Sequence, residues 1–387
     1  MFSLLLPFVS VVLCQNYILF PKYDNVDFYE LSSAQSIETT FNLQHFATID
    51  STHFFSSSHN NVLKNRNSLS QHFHIEEDNV VNINSNRSNF VLVSPNPVTI
   101  PWHLDRIVQR ELPLDNSFPY QSYCHTNDNI TINTYIVDTG IDINHPEFQG
   151  RASWGANFAD SQNTDCNNHG THVSGLVGSF SYGVCTDANL IAVKVLDCDG
   201  SGSTSGVIKG IEWSFNSHLQ KSQNEKDKTV KSIISMSLGG GYSRALNKAL
   251  EVTLRNHNFY VVVAAGNENN DACDTSPASS KSVLTVMASD IHDNRAWFSN
   301  WGKCANIYAP GVDILSTIPN NEIASYSGTS MATPIITGVL NHYLVMYPDM
   351  NMQQIVNRLS SDSTSNVIKG TKPQTLNKLV YLYRELK

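Results

Sequence analysis

From residue 132 onward, two patterns of apolar and polar positions alternate along the chain. Continuous apolar runs rich in β-branched residues, at 132–137, 190–196, 232–238 and 259–265, predict buried strands. Between them apolar residues recur at helical spacing, as in Ser205-Gly-Val-Ile-Lys-Gly-Ile-Glu-Trp213 and Ala245-Leu-Asn-Lys-Ala-Leu-Glu-Val-Thr-Leu254. Unbroken apolar strands alternating with helices imply a parallel sheet covered on both faces, an α/β fold of three layers. In such sheets a site forms at the carboxyl ends of the strands, where the polar, Gly-rich segments of this sequence fall.

The first 130 residues read differently. Residues 2–14, FSLLLPFVSVVLC, are apolar but too few to span a bilayer, and Val12 and Cys14 precede a cut expected near Gln15. A signal peptide over 1–15 follows, although the chain's own amino terminus is the only positive charge ahead of the run. Residues 16–84 open on a strand candidate, Tyr17-Ile-Leu-Phe20, and close on Phe73-His-Ile-Glu-Glu-Asp-Asn-Val-Val-Asn-Ile83. Between them, 51–71 is rich in Ser, Asn and His, a composition poor for a core. Residues 85–130 are expected to be irregular, punctuated by Pro95, Pro97, Pro101 and Pro113.

Charge and cysteine content narrow the class. The net charge is −9, and the largest basic cluster, Lys221 to Lys231, alternates with Asn, Glu and Asp, so nucleic acid is not expected as a partner. Of seven cysteines, removal of the leader takes Cys14 and leaves Cys124, Cys166, Cys185, Cys198, Cys273 and Cys304. An even count in an exported chain without a CxxC pair favours disulfides over zinc. Asn86-Arg-Ser and Asn129-Ile-Thr are glycan acceptor triplets, which suit a secreted glycoprotein.

Four segments carry candidate chemistry. The strand Ile132–Val137 runs into Asp138-Thr-Gly, which alone could be a loop cap. Asn168-His-Gly-Thr-His-Val-Ser-Gly lacks the HExxH spacing of a zincin, and its glycines suit an imidazole packed at a helix start. In Tyr326-Ser-Gly-Thr-Ser-Met-Ala-Thr-Pro, Ser330 falls where a turn feeds a helix, with Pro334 expected in the first turn. A serine there is ordinarily an N-cap, but as a nucleophile it would have the helix dipole and its own N–H beside a developing oxyanion. Val263-Ala-Ala-Gly-Asn-Glu-Asn follows a buried strand, and Asn267 could cap a turn or aim its amide at negative charge.

Together and in this order the four segments resemble the subtilase family of serine proteases, most closely its proteinase K-like branch. Further runs carry the likeness, including Trp102-His-Leu-Asp-Arg-Ile, Val195-Leu-Asp-Cys-Asp-Gly-Ser-Gly-Ser and Ser237-Leu-Gly-Gly-Gly. It covers about three quarters of the chain, from roughly Pro101 to the final helix. The resemblance implies that His169 is the general base, Asp138 its orienting acid and Ser330 the nucleophile. Asn267 and the Ser330 amide would form the oxyanion hole, and His172 would be structural. Gly200, Ser201 and Gly202 on one side, and Ser237, Leu238, Gly239 and Gly240 on the other, would hold the substrate as an added strand.

The same likeness implies disulfides Cys166–Cys198 and Cys273–Cys304. Cys124 and Cys185, which have no counterpart in it, remain as a third pair. It also implies an inhibitory α+β propeptide over 16–84, excised by the enzyme itself, and a catalytic domain over 85–387. No cofactor is needed for the chemistry. A structural calcium would take Asp105, Gln109 and Asp115, although Val108 and Asn306 replace acids of the family's sites. The expected protein is a secreted, monomeric endopeptidase with broad specificity and an apolar or aromatic preference, acting on proteins and peptides, with its propeptide as inhibitor and no membrane partner. A vacuolar or lysosomal address would start from the same leader. The alternative is an inactive relative serving as a binding protein, which the four intact catalytic groups disfavour.

Overall fold

The computed structural model describes residues 16–22, 34–83, 86–92, 100–119, 124, 129–225, 228–255 and 258–382. The expected leader, and Asn84 and Ser85 at the expected excision point, lie outside these residues. The chain forms two compact units, Met1–Asp78 and Asn79–Lys387.

The first unit contains β1 (Asn16–Pro21), α1 (Ala34–Phe41), β2 (Gln44–Ile49), β3 (Thr52–Ser58), α2 (His59–His72) and β4 (Phe73–Glu77). Its antiparallel sheet has the order β2-β3-β1-β4. The expectation that 51–71 contributes little to a core is corrected here, because that stretch forms β3 and α2. Its few apolar residues sit at the right spacing: Val62 and Leu69 lie two turns apart on one face of α2 and pack with Phe55, Phe73 and Leu19. The polar remainder covers the exposed face, and Ser58 caps the helix by accepting from Asn61 N.

The second unit begins with β5 (Val80–Ile83), β6 (Asn86–Leu92), α3 (Trp102–Ile107), β7 (Ile130–Asp138), β8 (Ala152–Asn157) and α4 (His169–Gly178). It continues through β9 (Asn189–Lys194), β10 (Ser201–Ser203), α5 (Thr204–Asn224), β11 (Thr229–Met236), β12 (Leu238–Gly241), α6 (Arg244–Thr253), β13 (Phe259–Ala264), β14 (Thr275–Ser276) and β15 (Leu284–Ser289). The last elements are β16 (Ile307–Pro310), β17 (Ile314–Ile318), β18 (Glu322–Ser327), α7 (Thr329–Met346), α8 (Met352–Asp362), β19 (Thr364–Ser365) and β20 (Lys378–Leu379). The central sheet, in the order β19-β20-β16-β15-β13-β11-β7-β9-β8, is parallel except for the edge pair β19–β20. Its central strands are buried throughout, as their unbroken apolar runs require. Residues 85–130 are less irregular than expected: β6 pairs with β18, and α3 is buried.

This topology decides where chemistry can occur. Strands β13, β11 and β7 are neighbours and parallel, so Asn267, Ser237 and Asp138 follow or end adjacent strands at one edge of the sheet. Helix α7, buried from Thr329 to Leu344, runs beneath them and brings Ser330 to the same edge. Three disulfides join Cys166 to Cys198, Cys273 to Cys304 and Cys124 to Cys185, with Cα–Cα distances of 5.0, 5.3 and 5.5 Å. The first ties the loop before His169 to the turn before Gly200. The first two close loops of 32 and 31 residues, each worth roughly 3–4 kcal/mol in the chain-entropy account.

Candidate active site

Asp138, His169 and Ser330 are all buried. Asp138 Oδ1 accepts from His169 Nδ1 at 2.8 Å and from Thr139 N at 2.7 Å. That bond puts the imidazole proton on Nδ1 and leaves Nε2 as a base. Asp138 Oδ2 and His169 Nε2 are both buried without partners. A carboxylate with an unmet oxygen beside the ring is placed to stabilise an imidazolium once one forms.

Ser330 is the second residue of α7, so its N–H belongs to the helix's first, unpaired turn. Its hydroxyl donates to the Ser237 carbonyl at 3.0 Å, and no hydrogen bond joins it to His169. The expectation that Pro334 lies in the first turn is corrected by the helix start at Thr329, which puts Pro334 inside the helix. Lacking an N–H, Pro334 cannot bond the carbonyl four residues earlier, which is that of Ser330. Ser237 Oγ donates to that carbonyl instead, at 2.9 Å. The backbone of Ser330 is thereby tied to the residue before β12, a bond from Ser237 that sequence pattern did not reveal.

Asn267 follows Gly266, whose φ of +104° places it in the region that favours glycine. A Cβ on Gly266 would also lie 2.3 Å from Asn300 Nδ2. Asn267 Oδ1 accepts from Thr329 N and Thr329 Oγ1, both at 2.9 Å. With its oxygen fixed by the residue before Ser330, the amide N–H₂ of Asn267 is the end left to meet developing charge. Thr329 is a second residue whose part the sequence did not announce.

The two Gly-rich segments flank a strand of the same unit. β5 lies antiparallel between β10 and β12, pairing Val81 with Gly202, Asn82 with Ser201 and Gly239, and Ile83 with Leu238. Ile83 N donates to Gly200 O at 3.0 Å, Thr204 N donates to Asn79 O at 2.9 Å, and Ser201 Oγ donates to Asn82 Oδ1 at 2.8 Å. A Cβ on Gly240 would lie 2.9 Å from the Val80 carbonyl, so a larger residue there would obstruct the strand. Beside Gly239 and Gly240 is a cavity of ≈ 350 Å³, walled by Ala264, Gly266, Thr275 and Ala278 and bordered by Glu268. Glu268 gives this otherwise neutral lining a charge. It is exposed and accepts from Asn300 Nδ2 at 2.7 Å, and its place directly after Asn267 was the available signal.

Two further histidines are enclosed near the site. His172 stacks on Tyr326 at 4.3 Å between ring centroids and donates from Nε2 to Ala324 O, while His103 donates to Tyr182 O. Burial pushes their pKa values down to about 3 and about 4. Both stay neutral in the fold but take protons in the unfolded chain below about pH 6.5. Stability is therefore full above that pH and falls as pH drops toward their folded values, by about 1.4 kcal/mol per unit for each histidine. Thermal melts of the Ser330→Ala protein should show about 4 kcal/mol lost between pH 7 and pH 5. A melting temperature that is flat across this range would contradict the neutral, buried assignment.

Asp105, Gln109 and Asp115, named above for calcium, are joined by hydrogen bonds. Gln109 Nε2 donates to Asp105 Oδ1 and, at 2.9 Å, to Asp115 Oδ1, while Asn116 N donates to Asp105 Oδ2 at 2.7 Å. Two carboxylates and a carboxamide are the oxygen donors a hard cation takes. The amide now turns its nitrogen to both acids, so binding would require it to rotate. Asp160 also approaches the sulfurs of Cys166 and Cys198, but those are committed to a disulfide.

The subtilase family model matches residues 131–379. Subtilisin-like protease 6 of Trichophyton rubrum is 42% identical over 307 residues, which cover 79% of this chain and 72% of that protein. Cerevisin of Saccharomyces cerevisiae is 40% identical over 73% of this chain and 46% of its own length. The crystal structure of a cold adapted subtilisin-like serine proteinase is similar with a TM-score of 0.67 and 39% identity, covering 74% of this chain and 100% of that one. With the sheet-edge geometry above, these likenesses establish that the chain belongs to the subtilase family, as a subtilisin-type serine endopeptidase of its proteinase K-like branch.

Proposed function

We propose that the protein is a secreted, monomeric, broad-specificity endopeptidase in which Ser330 attacks, His169 moves the proton and Asp138 orients the imidazole. The bond between His169 Nδ1 and Asp138 Oδ1, at the edge that also holds Ser330 and Asn267, carries this reading. On substrate binding, Ser330 Oγ leaves the Ser237 carbonyl and gives its proton to His169 Nε2 as it adds to the scissile carbonyl. The oxyanion takes hydrogen bonds from Ser330 N and Asn267 Nδ2. His169 then protonates the leaving amine, and water repeats the sequence on the acyl-enzyme. The presence of Asp138, His169, Ser330 and Asn267 in the chain weighs against the inactive-relative reading.

The pairing of β5 supports a reading of how substrate lies and how the enzyme matures. Residues 16–84 act as an inhibitory propeptide, and the chain cuts itself after Asn84. Ile83, the last residue of β5, pairs with Leu238, directly after Ser237, whose carbonyl holds the Ser330 hydroxyl. N-terminal sequencing of protein from culture medium should give Ser85. An intact terminus upstream of residue 80 on an active protein would refute this maturation.

The cavity beside Gly240 receives the side chain on the acyl side of the cut. Its small apolar walls favour apolar and aromatic groups, at roughly 25 cal/mol per Å² removed from water. A lysine is tolerated, because Glu268 at the rim offsets its charge. Exposed pairs are worth about 0.2–1 kcal/mol, so Glu268→Gln should lower kcat/KM for lysyl relative to phenylalanyl substrates by about 1.4- to fivefold. An unchanged ratio would remove Glu268 from specificity.

Calcium, if bound, would be held by Asp105, Asp115 and the Gln109 carbonyl. It would neutralise the paired acids and fasten the segment after α3, without taking part in the chemistry.

A further inference from the structure

We infer that Asp165 is a positioning residue for the catalytic acid and base together, an inference that rests on the triad assignment above. Its carboxylate is buried, 3% exposed, and lies outside the triad. Oδ1 accepts from Thr139 Oγ1 at 2.8 Å, Asn167 N at 3.1 Å and Asn168 N at 3.0 Å. Oδ2 accepts from Thr171 N at 2.8 Å and Thr171 Oγ1 at 2.6 Å. These donors bracket His169 on both sides and include the residue that follows Asp138.

The local geometry explains why a carboxylate is needed here. Helix α4 begins at His169, yet its N-cap Asn168 is in the left-handed region, at φ 82°, and makes no side-chain cap bond. The first N–H groups of the helix therefore need acceptors from elsewhere. Asp165 supplies one to Thr171 N, and Thr139 Oγ1 supplies one to Gly170 N at 2.9 Å. Because Thr139 Oγ1 accepts from Gly170, its own proton is directed to Asp165. Thr139 N in turn donates to Asp138 Oδ1, the oxygen that also receives His169 Nδ1.

The result is a closed ring: Asp165 to Thr139, Thr139 to Asp138, Asp138 to His169, and back through the Asn167 and Asn168 amides to Asp165. Helix α4 is pressed against the turn after Asp138, where a Cβ on Gly170 would lie 2.0 Å from the Gly140 carbonyl. Small displacements therefore cannot be absorbed by sliding. All five groups facing Asp165 are donors, so a carboxamide in its place sets an N–H₂ against other donors and opens the ring.

The test compares Asp165→Asn, Thr139→Val and Thr139→Ser with the parent. Each protein is titrated with a fluorophosphonate so that kcat is expressed per reactive site. Asp165→Asn should lose about 10–100-fold in kcat, the scale of a displaced catalytic group, with KM changed by less than about twofold. Thr139→Val, which removes the Oγ1 bonds to Asp165 and from Gly170 N, should lose about tenfold, and Thr139→Ser should restore kcat to within about twofold of the parent. If Asp165→Asn does not fold, the Thr139 pair decides the matter. Equal kcat in all folded variants, equal loss in Thr139→Val and Thr139→Ser, or KM rising in step with the loss would overturn the inference. A parent that is not labelled at Ser330 would instead remove the triad assignment. A labelled parent with unaffected variants removes only the role of Asp165.

Discussion

Ser330→Ala is expected to lose peptide hydrolysis by about 10⁶ in kcat, a scale that subtilisin itself sets for loss of this nucleophile. The loss should be so large because none of the described neighbours can take the serine's place. Ser237 Oγ is engaged with the Ser330 carbonyl, and Thr329 Oγ1 with Asn267. Thr329 begins α7, but its own amide is already engaged by Asn267 Oδ1. The main-chain bonds of the cradle stay intact, so the loss should fall on the chemical step and leave β5 seated between β10 and β12. The variant should also accumulate uncut from a host without other proteases, because the proposed cleavage after Asn84 depends on the same hydroxyl. A fully trimmed Ser330→Ala protein from such a host would refute self-processing, and residual hydrolysis above about 10⁻³ of the parent would refute the sole-nucleophile assignment.

Asn267→Ala should lower kcat by about 10²–10³, or about 2.7–4 kcal/mol, again a scale set in subtilisin, with little change in KM. The structure supplies the reason for the split. Asn267 contributes no part of the β10–β12 cradle, and its oxygen is held by Thr329, so the group left for chemistry is a donor suited to an oxyanion. Its worth appears as the carbonyl becomes negative. A variant whose KM rises while kcat stays near the parent value would place Asn267 in ground-state binding instead.

Much of the catalytic unit was legible in the sequence because burial there is extreme. The run at 132–137 reads as a strand without alternation, and it is the core of β7, flanked by strands on both sides. Once the sheet is parallel, its strand ends must gather Asp138, Ser237 and Asn267, so separate weak motifs become one place. Details that depend on partners distant in sequence were not legible. Pro334 was read as a first-turn residue because nothing local reveals that β18 ends at Ser327, Gly328 is the N-cap and Thr329 begins the helix. Glu268 was hidden behind its more conspicuous neighbour Asn267. The polar stretch 51–71 concealed β3 and α2 because Val62 and Leu69, widely spaced, suffice to mark a buried face. Asp165 carries no motif at all, since its importance lies in five donors from three separate positions of the backbone and two side chains.

The central claim is that Ser330, activated by His169 and Asp138, is the group that attacks the peptide. Mass-spectrometric mapping of the adduct formed by a serine-directed fluorophosphonate on the parent protein tests it most directly. The account predicts a single adduct on the peptide containing Ser330, formed in proportion to the loss of hydrolysis and absent from Ser330→Ala. An adduct on another serine, or full hydrolysis remaining once Ser330 is modified, would contradict it.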